Sequence, residues 1–244
     1  MISQRHLIDV LKAGVARARY LVDIATEFHG AEITTEYLLT AAIASEFIEK
    51  HRETKIECLN RTLVNAMTAK TGVSRKPLGS QRTDIVVLNA MMPVAMIEVK
   101  IGVKSLAKIQ GDIEKIIDTI ALLKPGYASQ LIGAVVFQVH VKATKRKRLT
   151  TKAEFRVAVE LIEQRIRSAL ASYAKGRPDY RFQMHALQKK DGGITERALE
   201  TIGDQTSWGA EGHATRYHAV IIRSTVRRPS PPETIAELKQ HSLS

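Results

Sequence analysis

The stretch RTDIVVLNAMMPVAMIEVKI, residues 82–101, constrains the fold of this chain more than any other. Aliphatic and β-branched residues dominate it, and NAMMP in its centre is typical of a turn, so the stretch predicts a β-hairpin. Three charged residues, Asp84, Glu98 and Lys100, interrupt this apolar pattern. Whether they form one site depends on how the two strands are aligned.

The predicted strands, at about 84–89 and 94–101, can be aligned from the turn. A turn centred on Met91 places residues at equal distances from Met91 opposite each other in an antiparallel pair. Asp84 and Glu98 both lie seven residues from Met91. Their carboxylates are therefore predicted to face each other, with Cβ atoms about 5 Å apart. A shift of one residue would move Asp84 to the opposite face.

Alternation along the second strand places Glu98 and Lys100 on the same face, together with Val94 and Met96. The other face receives Ile97, Val99 and Ile101. The sequence IEVKI alone also fits a solvent-facing ladder of Glu and Lys on an amphipathic strand. Two observations favour a site instead: the strand is apolar on both faces before Glu98, and Asp84 falls at the matching place on its neighbour.

Two facing carboxylates repel each other unless positive charge lies between them. Mg²⁺ often binds through one or two carboxylates together with water and substrate phosphate. A lysine two residues beyond the second carboxylate can orient or deprotonate the attacking water, or offset negative charge on a phosphate. The pattern therefore suits metal-assisted hydrolysis of a phosphodiester.

Asp84 followed, after thirteen residues, by Glu98-Val99-Lys100 resembles the motif of the PD-(D/E)xK nuclease superfamily. The resemblance covers roughly residues 32–140. Thr83 stands where the motif has proline, which many members also lack. The resemblance implies an α/β fold with a restriction endonuclease-like core, in which a mixed central sheet is flanked by helices in the order helix–hairpin–helix–strand. It also implies an Mg²⁺-dependent nuclease, with Mn²⁺ as a substitute, in which Asp84 and Glu98 bind the metal and Lys100 is catalytic.

Similar nucleases often add a glutamate from the helix before the hairpin and a polar residue from the helix after it. Glu36 lies within an apolar stripe and is the candidate glutamate, ahead of Glu46, although Glu36 also suits a first helical turn, where it complements the helix dipole. Gln110 is the candidate polar residue; the alternative is a partly exposed glutamine. Asp112 is predicted to face solvent.

The rest of the chain predicts further helices and strands around this hairpin. Apolar periodicity predicts helices at 3–28, 36–50, 55–69, 105–123 and 151–173, and strands at 130–140, 180–187 and 216–223. The Gly-rich segment 191–214 is predicted to be a loop. We expect one nuclease domain over residues 1–223, with a core at about 32–140, a C-terminal α/β extension at about 150–223 and a loosely attached tail at 224–244.

The formal net charge of +12 favours an anionic partner, with nucleic acid first and an acidic membrane second. The resemblance to nucleases implies nucleic acid, and double-stranded DNA in particular. Residues expected to contact phosphates are Arg82, Lys104, Lys108, Lys145, Arg146, Lys147 and Arg148, although each alone is more often solvated surface. One cysteine, no apolar run of membrane-spanning length and no signal-peptide pattern predict a cytoplasmic protein without a membrane partner. The resemblance to nucleases implies a bacterial or phage type. A restriction-like enzyme that cuts both strands usually works as a dimer, which favours a homodimer. The alternative function is a non-catalytic nucleic-acid-binding or assembly module on the same fold.

Overall fold

The computed structural model describes residues 2–26, 36–50, 52–60, 62, 64, 80–142, 152–190, 194–202 and 205–225. Its helices are α1 (Gln4–Thr26), α2 (Glu36–Glu49), α3 (Ala107–Ala121), α4 (Pro125–Ala128) and α5 (Lys152–Lys175). Its strands are β1 (Thr54–Leu59), β2 (Arg82–Asn89), β3 (Met92–Lys100), β4 (Ile132–Lys142), β5 (Tyr180–Lys190), β6 (Ile194–Ile202) and β7 (Gln205–Ser224). No helix within these ranges is long and apolar enough to span a bilayer.

The strands form one mixed sheet in the order β1-β2-β3-β4-β7-β5, and β6 pairs with β7 off this path. Among the described strands, only β3 and β4 are parallel neighbours, and all other pairs are antiparallel. Parallel strands need a crossover connection, and α3 with α4 supplies it between β3 and β4. The α/β class with a mixed, helix-flanked sheet is therefore confirmed.

Helices cover both faces of this sheet and divide the core into two layers. On one face, α1 and α2 pack on β2, β3 and β4 through residues such as Leu11, Ile43 and Ile97. On the other face, α3 packs on β3, β4 and β7, and α5 packs on β4, β5 and β7, through residues such as Ile113, Val159 and Phe137. The continuous apolar sequence of β4 follows from this double coverage.

The β2–β3 hairpin has the predicted register, but not through the predicted turn. Ala90 and Met91 form a tight turn with positive φ angles of 48° and 65°, and Asn89 pairs with Met92. This pairing alone would place Asp84 opposite residue 97. Val94 is an extra residue between the pairs Leu88–Pro93 and Val87–Ala95, and this bulge shifts the register by one residue.

Beyond the bulge, Ile85 pairs with Ile97, so the next position places Asp84 opposite Glu98. The expectation that Val94 shares a face with Met96 and Glu98 is wrong. Val94 belongs to the core on the α1–α2 face, whereas Met96 belongs to the core on the α3–α5 face. The bulge explains the difference because it breaks the alternation between Val94 and the residues that follow it.

Two other expectations from the sequence are wrong. The predicted helix at 55–69 begins instead as strand β1, which pairs with β2 along the edge of the sheet. The predicted loop at 191–214 contains β6 and the first half of β7, with Gly209 and Gly212 paired to residues of β6. In both segments a long-range strand partner decides the structure, and local periodicity does not reveal that partner. Residues 145–148 and 226–244 lie outside the described residues.

The predicted strand at 216–223 is the second part of β7, which begins at Gln205, and the other predicted elements agree with the structure within a few residues at their ends. Helix α3 is the most important of them for the site, because it crosses the sheet above β3 and β4. A Cβ at Gly133 of β4 would collide with the side chain of Ile116, so this glycine permits the close approach of α3. Buried Asn60 accepts a hydrogen bond from Thr83 at 2.8 Å and donates one to Thr119 at 3.3 Å, which ties α3 to the start of β2.

Candidate active site

Asp84 lies near the start of β2, and its carboxylate is held by the neighbouring strand. Its Oδ2 atom accepts a hydrogen bond of 2.7 Å from the backbone N–H of Val99. The side chain therefore bonds to the β3 residue that directly follows Glu98. This bond fixes Asp84 beside the Glu98–Lys100 segment, as the sequence predicted.

Glu98 is the most buried charged residue of the site, with 1% of its surface exposed. Its Oε2 atom lies 2.6 Å from the ammonium of Lys115, whereas its Oε1 atom has no hydrogen-bond partner among the described residues. Burial raises the pKa of Glu98 to about 8, and the negative charge of Asp84 adds to this effect while Lys115 opposes it. Lys115 therefore compensates the charge of this carboxylate only in part.

Lys115 was not singled out from the sequence, yet it is the closest cation to Glu98. It projects from α3, and its ammonium also donates a 2.7 Å hydrogen bond to the backbone carbonyl of Arg82. A third oxygen, Oδ1 of Asp112, lies 3.8 Å away. Lys115 thus connects β2, β3 and its own helix.

Lys100 ends β3 and pairs with Glu36 at the start of α2, as expected for a glutamate supplied by the preceding helix. The two charged groups are 3.3 Å apart, and Glu36 also accepts a 3.4 Å hydrogen bond from the backbone N–H of Ile101. Burial lowers the pKa of Lys100, but the nearby carboxylates of Asp112, Glu36 and Asp84 outweigh burial and raise it. Lys100 is therefore a cation at neutral pH.

Asp112 corrects the sequence analysis, which expected a solvated side chain. The side chain is only 16% exposed and lies among the charges of Lys100, Lys115 and Asp84. Burial raises the pKa of Asp112, although the two lysines oppose this effect. At 100° per residue, Asp112 and Thr119 lie on one flank of the apolar stripe of α3, whereas Gln110 lies on the other. The flank with Asp112 faces the hairpin.

The other candidate residues lie elsewhere or outside the described residues. Gln110 donates a 3.2 Å hydrogen bond to Glu114, and its predicted catalytic role stays a prediction. Glu46 pairs with Arg17 at 3.0 Å and does not join the site. Exposed basic residues around the site are Arg82, Lys104 and Lys108. Lys145, Arg146, Lys147 and Arg148 lie in the segment that the structure does not describe.

Six charged side chains therefore form one connected group, which we term the Glu98 cluster: Glu36, Asp84, Glu98, Lys100, Asp112 and Lys115. Four carboxylates and two ammonium groups give it a formal charge of −2, which one divalent cation would balance. Among the described residues, no three His, Cys, Asp or Glu side chains are gathered closely enough to hold a metal by themselves. Mg²⁺ requires fewer protein ligands than that, because water and phosphate oxygens complete its shell. The open Oε1 atom of Glu98 and the deficit of positive charge fit such an ion.

Comparison with protein-family models, with curated protein sequences and with solved structures finds no match to this chain. The chemistry of the Glu98 cluster and the fold that positions it are therefore the features that indicate a function.

Proposed function

We propose that this protein is a Mg²⁺-dependent nuclease that hydrolyses phosphodiester bonds in nucleic acid, with DNA as the first candidate. The observation that carries the proposal is the buried carboxylate of Glu98, which faces Asp84 with one oxygen unpartnered and lies next to Lys100 on the same strand. A protein gains nothing in stability from a buried, poorly compensated carboxylate. Such a group is better explained by the binding of a cation.

The order of elements supports the same proposal. Helix α2, the β2–β3 hairpin, helix α3 and strand β4 follow one another in the chain, in the helix–hairpin–helix–strand order that the resemblance to PD-(D/E)xK nucleases implies. The residues of the motif lie on the central strands β2 and β3, and Glu36 joins them from α2. The formal charge of +12 supports a polyanionic substrate.

The chain's own residues suggest a division of roles. Asp84 and Glu98 would hold the metal, which would supply an activated water and stabilise charge on the phosphate. Three carboxylates outweigh the effect of burial and raise the pKa of Lys100, so this lysine stays cationic and is suited to stabilise negative charge on the phosphate rather than to accept a proton. Glu36 orients the Lys100 ammonium by accepting its hydrogen bond. Arg82, Lys104 and Lys108 are exposed and would contact the backbone phosphates next to the cleaved bond.

Plasmid cleavage tests this proposal directly. Supercoiled plasmid incubated with the protein should be nicked or linearised with Mg²⁺ or Mn²⁺, and should remain intact with EDTA. Asp84→Asn and Lys100→Ala should each abolish detectable cleavage, whereas Lys124→Ala, an exposed lysine between α3 and α4, should cleave like the wild type. No metal-dependent cleavage of double-stranded DNA, single-stranded DNA or RNA would refute the proposal.

One observation favours the non-catalytic alternative: Lys115 already compensates one oxygen of Glu98. In a nucleic-acid-binding module that has no catalytic metal, this ion pair would serve the fold alone. Electrophoretic mobility shifts separate the two functions. Tight, salt-dependent binding of DNA without cleavage in Mg²⁺ or Mn²⁺ would support the binding module.

A further inference from the structure

We propose that Lys115 is a positioning residue that holds the Oε2 atom of Glu98 and thereby keeps the Oε1 atom available to the metal. This inference rests on the proposed function and deepens it, because it assigns a task to a lysine outside the D…ExK motif. Lys115 acts through Glu98 and is not itself placed at the phosphate.

The first support is the way in which the Lys115 ammonium is held. Its three nearest acceptors come from three different elements: the carbonyl of Arg82 on β2, the carboxylate of Glu98 on β3 and the carboxylate of Asp112 on α3. Only one of these acceptors is a proposed metal ligand. The ammonium therefore keeps an anchor at the Arg82 carbonyl, 2.7 Å away, when a metal draws on the charge of Glu98.

The second support is that only one of the two carboxylate oxygens of Glu98 has a bonded partner. Oε2 is bound by Lys115, whereas Oε1 is buried and has no partner among the described residues. A carboxylate with one oxygen fixed can rotate little, so the direction of its other oxygen is set. Hydrogen-bonded partners of this kind orient metal-ligating carboxylates, and their loss typically weakens metal binding or activity by about 10- to 100-fold.

The third support is the rigid attachment of the helix that carries Lys115. The Thr119 hydroxyl donates to the backbone carbonyl of Lys115 at 2.8 Å and accepts from Asn60, which is bound to Thr83. Ile116, the next residue, rests on Gly133 of the sheet. Helix α3 is thus fixed to β2 and β4 within one turn of Lys115, and the ammonium position is defined by the fold.

Simple electrostatics and positioning predict opposite effects of removing this lysine. If Lys115 were only a nearby positive charge, its removal would strengthen the binding of a divalent cation, because a repulsive charge would be lost. If Lys115 positions Glu98, its removal weakens metal binding, because the freed carboxylate no longer has a fixed direction. The sign of the change in metal affinity separates the two explanations.

The experiment measures Mn²⁺ binding without nucleic acid, by electron paramagnetic resonance of free Mn²⁺ at constant pH and ionic strength. Lys115→Met should bind Mn²⁺ about 10- to 100-fold more weakly than the wild type, with an unchanged circular dichroism spectrum. Lys115→Arg keeps the charge and the donors and should recover most of this loss. Lys124→Met removes an exposed lysine that follows α3 and lies outside the Glu98 cluster, and this variant should bind Mn²⁺ like the wild type.

A double variant tests whether Lys115 acts through Glu98. Glu98→Gln alone should abolish specific Mn²⁺ binding, and adding Lys115→Met should change the remaining affinity by less than about threefold, since coupled residues are not additive. If Lys115→Met does not fold, Lys115→Gln, which keeps a donor but no charge, and Lys115→Arg carry the same comparison.

The possible failures are distinguishable. A wild-type protein that binds no Mn²⁺ overturns the proposed function together with this inference. A wild type that binds Mn²⁺, with Lys115→Met binding it equally well or more tightly, overturns the positioning role alone.

Discussion

Two glutamates on the same face of the sheet, one on a helix and the other on a strand, have opposite electrostatic surroundings. Glu163 of α5 uses both carboxylate oxygens, with Arg216 at 3.0 Å from Oε2 and His218 at 2.8 Å from Oε1. Glu98 of β3 uses one oxygen, with Lys115, and leaves the other without a described partner. Burial raises the pKa of both side chains, but the hydrogen bond from His218 and the charge of Arg216 outweigh burial at Glu163 and lower its pKa, whereas the pKa of Glu98 rises to about 8.

This difference separates a structural ion pair from a site that requires a ligand. Around Glu163, the protein itself supplies the compensating charge and hydrogen bonds, so the group is complete without any bound ion. Around Glu98, three further carboxylates and two lysines leave a deficit of positive charge. Buried ion pairs perturb pKa values in both structural and functional groups, and the unpartnered oxygen is what distinguishes Glu98.

The largest expected difference between the two glutamates is in cleavage. Glu98→Gln should lower the rate of plasmid cleavage by about 10³-fold or more, because it removes a metal ligand whose contribution is several kcal/mol. Glu163→Gln should stay within about threefold of the wild type when assayed at least 15 °C below its melting temperature. Initial rates in Mg²⁺ provide the measurement, and equal losses in both variants would contradict the assignment.

The next largest effect is on the free energy of unfolding, which Glu163→Gln should lower and Glu98→Gln should not. Glu163→Gln should lower the free energy of unfolding by about 3 kcal/mol, because the guanidinium of Arg216, with a side chain only 5% exposed, loses its better-buried partner. Urea unfolding at pH 7 with EDTA measures this change. A loss below about 0.5 kcal/mol would show that Glu160, the other partner of Arg216, is sufficient.

Glu98→Gln should instead stabilise the metal-free protein, by on the order of 2 kcal/mol at pH 8. The pKa of Glu98 is about 8 in the folded protein against an ordinary value of 4.5, so the folded state binds more protons than the unfolded chain between these values. Wild-type stability should therefore fall as pH rises from about 5 to 8, and Glu98→Gln should lack this slope.

Urea unfolding with EDTA at several pH values checks the slope, with Glu163→Gln as the control. The lowered pKa of Glu163 stabilises the folded state above its ordinary pKa, and that contribution is lost only as pH falls below it. Glu163→Gln should therefore keep the wild-type slope between pH 5 and 8. Parallel curves for the wild type and Glu98→Gln would refute the raised pKa.

The smallest expected effect on stability is that of removing the buried hydroxyl of Thr83, the residue before Asp84. Thr83→Val removes the hydroxyl that donates to Asn60 and should cost about 1 kcal/mol of stability, the usual contribution of one hydrogen bond. Cleavage should stay within about threefold of the wild type, because the hydroxyl contacts Asn60 and not the carboxylates. A tenfold loss of cleavage at unchanged stability would place Thr83 in the site.

The hairpin and α3 could be predicted because their signals are local. Alternation and the turn residues define β2 and β3, and six apolar residues at helical spacing define α3. Strand β1 and the β6–β7 pairing could not be predicted in the same way, since strand formation there depends on a partner distant in the sequence. The Gly-rich composition of residues 191–214 favours a loop, but the structure has β6 paired with the first half of β7 in this segment.

The residues of the candidate site also divide into those that the sequence predicts and those that it does not. Asp84, Glu98 and Lys100 follow from spacing within one hairpin, but Asp112 and Lys115 depend on which flank of α3 faces the sheet. Periodicity identifies the apolar stripe of a helix and leaves its two flanks equivalent. The only sequence signal was an acidic and a basic residue three positions apart beside that stripe, which is a common surface pattern.

The bulge at Val94 also bears on how such motifs change during evolution. In a hairpin with a two-residue turn and no bulge, residues that face each other are separated by an odd number of positions, as Asn89 and Met92 are. Asp84 and Glu98 are fourteen positions apart, an even separation that requires one extra residue between them. Loss of a single residue at the bulge would leave every charged residue of the motif in the gene and still separate the two carboxylates. A relative could thus retain the signature and lose its chemistry through a deletion of one codon.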